Sequence, residues 1–174
     1  METDAAKFKK NLIALLELFQ EIIVYIKTEK PFYKLDIEPN ILSLAKFKLS
    51  SMDDLILIEN FISKSYNYWD QIKEKDEEFL VQNSNVLFEG APVEYINIFT
   101  EILTKCDDNN TPLIDNDIKD NIWEILNGLV INSIKHIHIQ RKYNTTTKKY
   151  TVIYAKDIKL GEVSEKWNVK LKKE

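Results

Sequence analysis

The chain has 174 residues, 44% hydrophobic and 30% charged, with only three glycines and four prolines, a profile that excludes a disordered segment and favours helices over many short strands. Cys106 is the single cysteine, which excludes an intrachain disulfide and points to a reducing compartment. The net charge of -4 conceals an asymmetry, because residues 135–174 hold eleven Lys/Arg against four Asp/Glu while the first 134 hold thirteen against twenty-four.

At this length one domain is expected, large enough to bury roughly 70% of the surface exposed by its unfolded form. Arg141 is the only arginine beside 23 lysines, 23 isoleucines and 15 asparagines, which reads as the imprint of an AT-rich genome. The start, METDAAKFKK, lacks the basic opening and cleavage site of a signal peptide. The longest apolar run, LIALLELFQEIIVYI, is interrupted by Glu17, Gln20 and Glu21 and falls short of the ~18–20 residues that span a bilayer. The expectation is a soluble, intracellular protein of the cytoplasm or nucleus, with no membrane partner.

Phe8, Leu12, Leu15, Leu16, Phe19, Ile22, Ile23 and Ile26 recur at three- and four-residue steps, predicting a first amphipathic helix from Thr3 or Asp4 to about Thr28. Pro31 and Pro39 break the pattern, and Pro39 suits the first turn of a short helix carrying Ile41, Leu44, Phe47 and Leu49. Ser51 with Asp54 resembles a capping box. It opens a long stripe from Leu55 through Ile58, Phe61, Ile62, Tyr66, Trp69, Ile72 and Phe79 to Leu80, with a break expected between Lys73 and Glu78. Pro92 starts the next helix, which carries Tyr95, Ile96, Phe99, Ile102 and Leu103. Cys106 ends that stripe and is expected to be a buried structural thiol rather than a nucleophile.

The central helix is predicted from Asp117 to Tyr143, through Ile118, Ile122, Ile125, Leu126, Leu129 and Val130. It takes in SIKHIHIQRKYN, which holds both histidines. As a strand, this stretch would set His136 and His138 side by side; as a helix turning ~100° per residue, it sends His136 to the core arc and His138 away. Helix is favoured because nothing but Gly128 interrupts the pattern and because Lys135, the histidines, Arg141 and Lys142 suit a helix carboxyl end. Beyond Asn144, YTVIYAKDI and KWNVKLKK alternate at period two and predict a β hairpin. The expected architecture is mainly α: a domain over 1–144 of about five helices packed as an irregular bundle, and a basic β hairpin over 145–174.

Chemical motifs are few. A metal at the histidine pair would need more ligands than the sequence offers. The acidic loop DDNNTPLIDNDI resembles a calcium loop at Asp107, Asn109, Thr111 and Asp115, but Pro112 stands where glycine is needed and Ile118 where a bidentate glutamate is needed. No phosphate loop, nucleophile elbow or zinc motif is present, so no catalytic residue, metal or cofactor is expected. Two constellations remain. Lys142, Lys148, Lys149, Lys156, Lys159, Lys170 and Lys172, interleaved with Tyr150, Tyr154 and Trp167, combine phosphate-neutralising charge with stacking faces and suit nucleic acid. Tyr66, Tyr68 and Trp69 exceed what one helix face needs for a core and suit a protein interface.

The segments YWDQIKEKDEEFLVQNSNVLFEGAP and IWEILNGLVINSIKHIHIQR resemble helical proteins of unassigned function encoded by large, AT-rich DNA viruses of eukaryotes. The resemblance covers the middle half of the chain and implies a virion component, a viral-factory factor or a host-interaction protein, with no active-site residues. The sequence therefore leads to a non-enzymatic structural or protein-interaction component, with a protein partner or self-association. Nucleic-acid binding through the basic carboxyl end is the alternative.

Overall fold

A computed structural model describes residues 1–38, 40–147 and 157–171. Among these the chain is mainly helical: α1 (Asp4–Glu29), α2 (Ile41–Ser51), α3 (Asp54–Ser65), α4 (Trp69–Lys73), α5 (Glu77–Leu87), α6 (Val93–Thr104), α7 (Asn116–Thr147) and α8 (Leu160–Lys166). A 3-10 turn, Tyr66–Tyr68, joins α3 to α4. The expected stripe from Leu55 to Leu80 is thus three helices, one break falling within the anticipated Lys73–Glu78 window.

Helix boundaries follow local chemistry. Thr3 caps α1 by accepting a hydrogen bond from the Ala6 N–H, 3.1 Å. Asp53, rather than the expected Ser51, caps α3 through the Leu55 N–H, 2.8 Å. Lys75 adopts φ 55°, and α4 ends as its N–H meets the Ile72 carbonyl at 3.2 Å and that of Asp76 meets Gln71 at 3.0 Å. This is a Schellman stop built on a non-glycine residue. Asp76 at once caps α5 by accepting from the Phe79 N–H, 3.0 Å.

The two longest helices, α1 and α7, pack antiparallel at the centre. Phe8, Leu15, Phe19, Ile22, Ile23 and Ile26 of α1 meet the core shared with Ile122, Leu126, Leu129, Val130, Ile134 and Ile137 of α7. Each such side chain contributes about 1.5–3 kcal/mol on leaving water. A polar seam runs through this apolar pair. Asn11 Nδ2 donates to Asn132 Oδ1 at 2.7 Å, and a Cβ on Gly128 would come within 3.2 Å of the same Asn11 nitrogen. Further along, Asp4 acts electrostatically on His136. Around the pair, Phe8 meets Phe61 of α3 with ring centroids 5.2 Å apart, and Phe19 meets Phe99 of α6 at 5.9 Å.

The carboxyl end departs from the expected hairpin. No strand occurs among the described residues. The YTVIYAKDI segment lies outside them except for its last two residues. α7 continues to Thr147, and KWNVK holds the end of α8. There Asn168 adopts φ 52°, its N–H meets the Glu165 carbonyl at 3.1 Å, and the Val169 N–H meets Ser164 at 2.8 Å. The period-two signal of KWNVKLKK coincides with burial: Trp167 and Val169 are buried and Leu171 packs on the core, in a segment that follows a helix stop and has no ladder partner among the described residues. Ile158, Leu160, Trp167 and Val169 all join the same core as α1 and α7.

Candidate functional site

The basic carboxyl constellation is only partly visible. Lys148, Lys149, Tyr150, Tyr154, Lys156 and Lys172 lie outside the described residues, and Lys142 belongs to α7. Lys159 and Lys170 are exposed. Trp167 is only 7% exposed, and Lys73 Nζ stands 5.1 Å from its ring centroid. Its faces are therefore occupied by the protein itself. Beside it, Lys166 pairs with Asp70 of α4 at 2.7 Å, and Arg141 donates to the Ile158 carbonyl at 2.6 Å. These contacts hold the carboxyl segment on α4 and α7.

The three aromatics expected at an interface also face inward to differing degrees. Trp69 is 3% exposed, and its Nε1 donates to Ser65 Oγ at 2.9 Å. Tyr66 and Tyr68 are half-buried against the core, the Tyr68 ring 5.1 Å from that of Phe79. The apolar surface that does face outward lies on α2. Leu42 is buried, whereas Leu44 is 70% and Phe47 73% exposed, with Ile41 beside them. At ~100° per residue, Leu44 and Phe47 fall opposite Leu42. α2 runs antiparallel along α1, fixed by Ser43 to Gln20, Lys46 to Glu17 and the Lys9 ammonium to the Met52 carbonyl. Its second apolar arc therefore cannot reach the core. The sequence carried a signal for this, since α2 holds more large apolar residues than one inward face can use.

The histidines settle as a helical pair. His136 is 6% exposed, and burial holds its pKa below the ordinary histidine value, with the Asp4 carboxylate pulling the other way. Its Nε2 is buried with no hydrogen-bond partner among the described residues. His138 is half-buried. Both line an open cleft of about 840 Å³ at the amino end of α1, with Lys7, Lys135, Leu55 and Leu171 among its other walls. Among the described residues no group of three or more His, Cys, Asp and Glu side chains could hold a metal ion.

The acidic loop before α7 closes on itself. Asp107 Oδ1 accepts from the N–H groups of Asn109 and Thr111 at 2.9 and 3.0 Å, while Oδ2 accepts from Lys30 Nζ at 2.6 Å. The Lys30 hydrogen bond, aided by those amides, holds the Asp107 carboxyl below its ordinary pKa and raises that of Lys30. Nearby, burial and the hydrogen bond from its hydroxyl to Glu101 push the Tyr33 pKa up to about 12. Asp115 caps α7 through the Ile118 N–H, 2.9 Å, so the position that a calcium loop would give to a ligand begins the helix instead. Cys106 is exposed, contrary to expectation, because α6 ends at Thr104 and the residue enters the turn that bridges to Pro112.

No helix among the described residues is long and apolar enough to cross a membrane. No family model, curated protein or solved structure matches the chain.

Proposed function

We propose that the chain is a non-enzymatic structural or protein-interaction component that associates with a second copy of itself through the outer face of α2. The observation carrying this reading is the exposure of Leu44 and Phe47 on a well-formed helix whose other face is anchored to α1. Exposed apolar side chains clustered on one face are the surface that association removes from water.

The pattern of α2 itself favours a second copy of the chain as the occupant. A two-fold antiparallel pairing about the midpoint of Leu44 and Phe47 sets each leucine on the other copy's phenylalanine, as an isologous interface requires. The same register puts Lys48 opposite Ser43 and offsets the two Lys48 ammonium groups by five positions, roughly 7.5 Å of helix rise. The like charges are thus kept apart, while Lys46 is already paired with Glu17 on the inner flank.

The register is tested by disulfide trapping in a Cys106→Ser background. Leu44→Cys mixed with Phe47→Cys should give a cross-linked heterodimer on mild oxidation, and Leu44→Cys mixed with Lys48→Cys should give little. Equal trapping in both mixtures, or none in either, overturns the α2 pairing.

A further inference from the structure

His136 sits where the amino end of α1 crosses the carboxyl-terminal half of α7. The antiparallel register set by Asn11 and Asn132 carries the first two turns of α1 past it, and Asp4 acts on its ring electrostatically. Ala5 and Phe8, the buried residues of those turns, belong to the same core as Ile134 and Ile137 of α7. The ring is 6% exposed, and its Nε2 is buried with no hydrogen-bond partner among the described residues. A neutral imidazole keeps that place at the cost of one unmade hydrogen bond. An imidazolium has two N–H donors and a charge, and is far less suited to it.

A different environment lies beside the buried ring. The cleft that His136 lines carries charged groups from each neighbouring element. Glu2, Asp4 and Lys7 come from the start of α1, and Asp53 and Asp54 from the start of α3. Lys135 and His138 come from α7 itself, and Lys170 from the carboxyl segment. Glu2 already pairs with Lys10, Asp54 with Lys9 at 3.2 Å, and Asp53 accepts from the first turn of α3. Asp4 has no ion pair among the described residues. A protonated ring therefore finds water and a carboxylate acceptor in the cleft, and not in the contact that it fills when neutral.

We propose that His136 is a proton-operated latch on the amino end of α1. Neutral, the ring fills the contact between α1 and α7; protonated, it leaves for the cleft beside Asp4, and the first two turns of α1 are released with it. Helix ends open at little cost compared with helix centres, so these turns yield before the rest of α1. Proton linkage fixes the direction. Burial outweighs the attraction of Asp4 and keeps the closed form neutral below the ordinary 6.5 of histidine, while the released ring titrates at that ordinary value. Acidification through pH 6.5 therefore favours release. The latch is independent of the α2 pairing.

Amide hydrogen exchange read by NMR, corrected for the intrinsic pH dependence of exchange, follows the opening residue by residue. Between pH 7 and 5.5 the opening at Lys7, Phe8 and Lys9 should rise by up to about eightfold, the ratio for a group of pKa 6.5 when released that stays neutral when closed. The event should be local: at pH 5.5, low urea should leave exchange at these three amides almost unchanged while speeding it at Ile22 and Ile23. His136→Gln should abolish the acid response, and His138→Gln should preserve it. No rise at Lys7, Phe8 and Lys9, a urea dependence there equal to that of Ile22 and Ile23, a response retained in His136→Gln, or one lost in His138→Gln overturns the latch.

Discussion

His136 links the interior to the surface at the scale of a single residue. Its imidazole is buried beside the Asp4 carboxylate, and burial, the larger effect, favours the neutral form. The folded pKa therefore lies below the ordinary 6.5, so the unfolded chain takes up the proton first as pH falls. Stability is then lost progressively below pH 6.5 until the folded pKa is reached. Urea unfolding midpoints should fall between pH 7 and 5.5 in the parent, and that slope should flatten in His136→Gln. The Asn11–Asn132 hydrogen bond is a second local device, joining α1 to α7 within their apolar contact. Removing Asn11 leaves the Asn132 carbonyl without its partner, so Asn11→Ala should cost about 1–2 kcal/mol in denaturant unfolding. Gly128→Ala should also destabilise despite its helix propensity, because the new Cβ meets Asn11 Nδ2 at 3.2 Å while Asn132 holds that group in place. In the Asn11→Ala background the same change should instead stabilise by up to ~1 kcal/mol.

At the scale of elements, the helix stops show how local chemistry overrules periodicity. Lys75 adopts a left-handed backbone between α4 and α5, a conformation that costs an L residue roughly 1 kcal/mol and glycine nearly nothing. Its exposed ion pair with Asp120, 3.1 Å, contributes little. Lys75→Gly should therefore raise stability by about 0.5–1 kcal/mol, read as a higher urea midpoint at unchanged slope. The sequence made α1 legible almost to the residue, because Thr3 caps a helix with one continuous apolar stripe. It also showed His136 turning inward, since an uninterrupted pattern leads to it. It misled at α2, where Ile41, Leu44 and Phe47 have helical spacing but Leu42 is the residue turned to the core. Periodicity finds a helix, yet with two apolar arcs it does not choose which one is buried. At the carboxyl end, alternation alone could not separate a paired strand from a segment laid on the core after the Asn168 stop.

At the scale of the molecule, the described carboxyl residues belong to the helical core rather than to an appendage. Ile158, Leu160, Trp167 and Val169 are buried with the side chains of α1 and α7, and Asp70 and Lys73 of α4 engage this segment through Lys166 and the Trp167 ring. Trp167→Ala should cost about 3–5 kcal/mol, the range for emptying a large buried aromatic site, seen in thermal or urea unfolding by circular dichroism. With the core so served by both ends of the chain, Ile41, Leu44 and Phe47 of α2 remain facing water. Self-association through α2 is measured most directly by light scattering coupled to size exclusion across a concentration series. The mass should rise from 20.5 kDa towards twice that value as concentration increases, and Leu44→Glu/Phe47→Glu should hold it at the single-chain mass with unchanged helix content. A parent that stays at 20.5 kDa throughout the series, or a double variant that dimerises as readily, would contradict it.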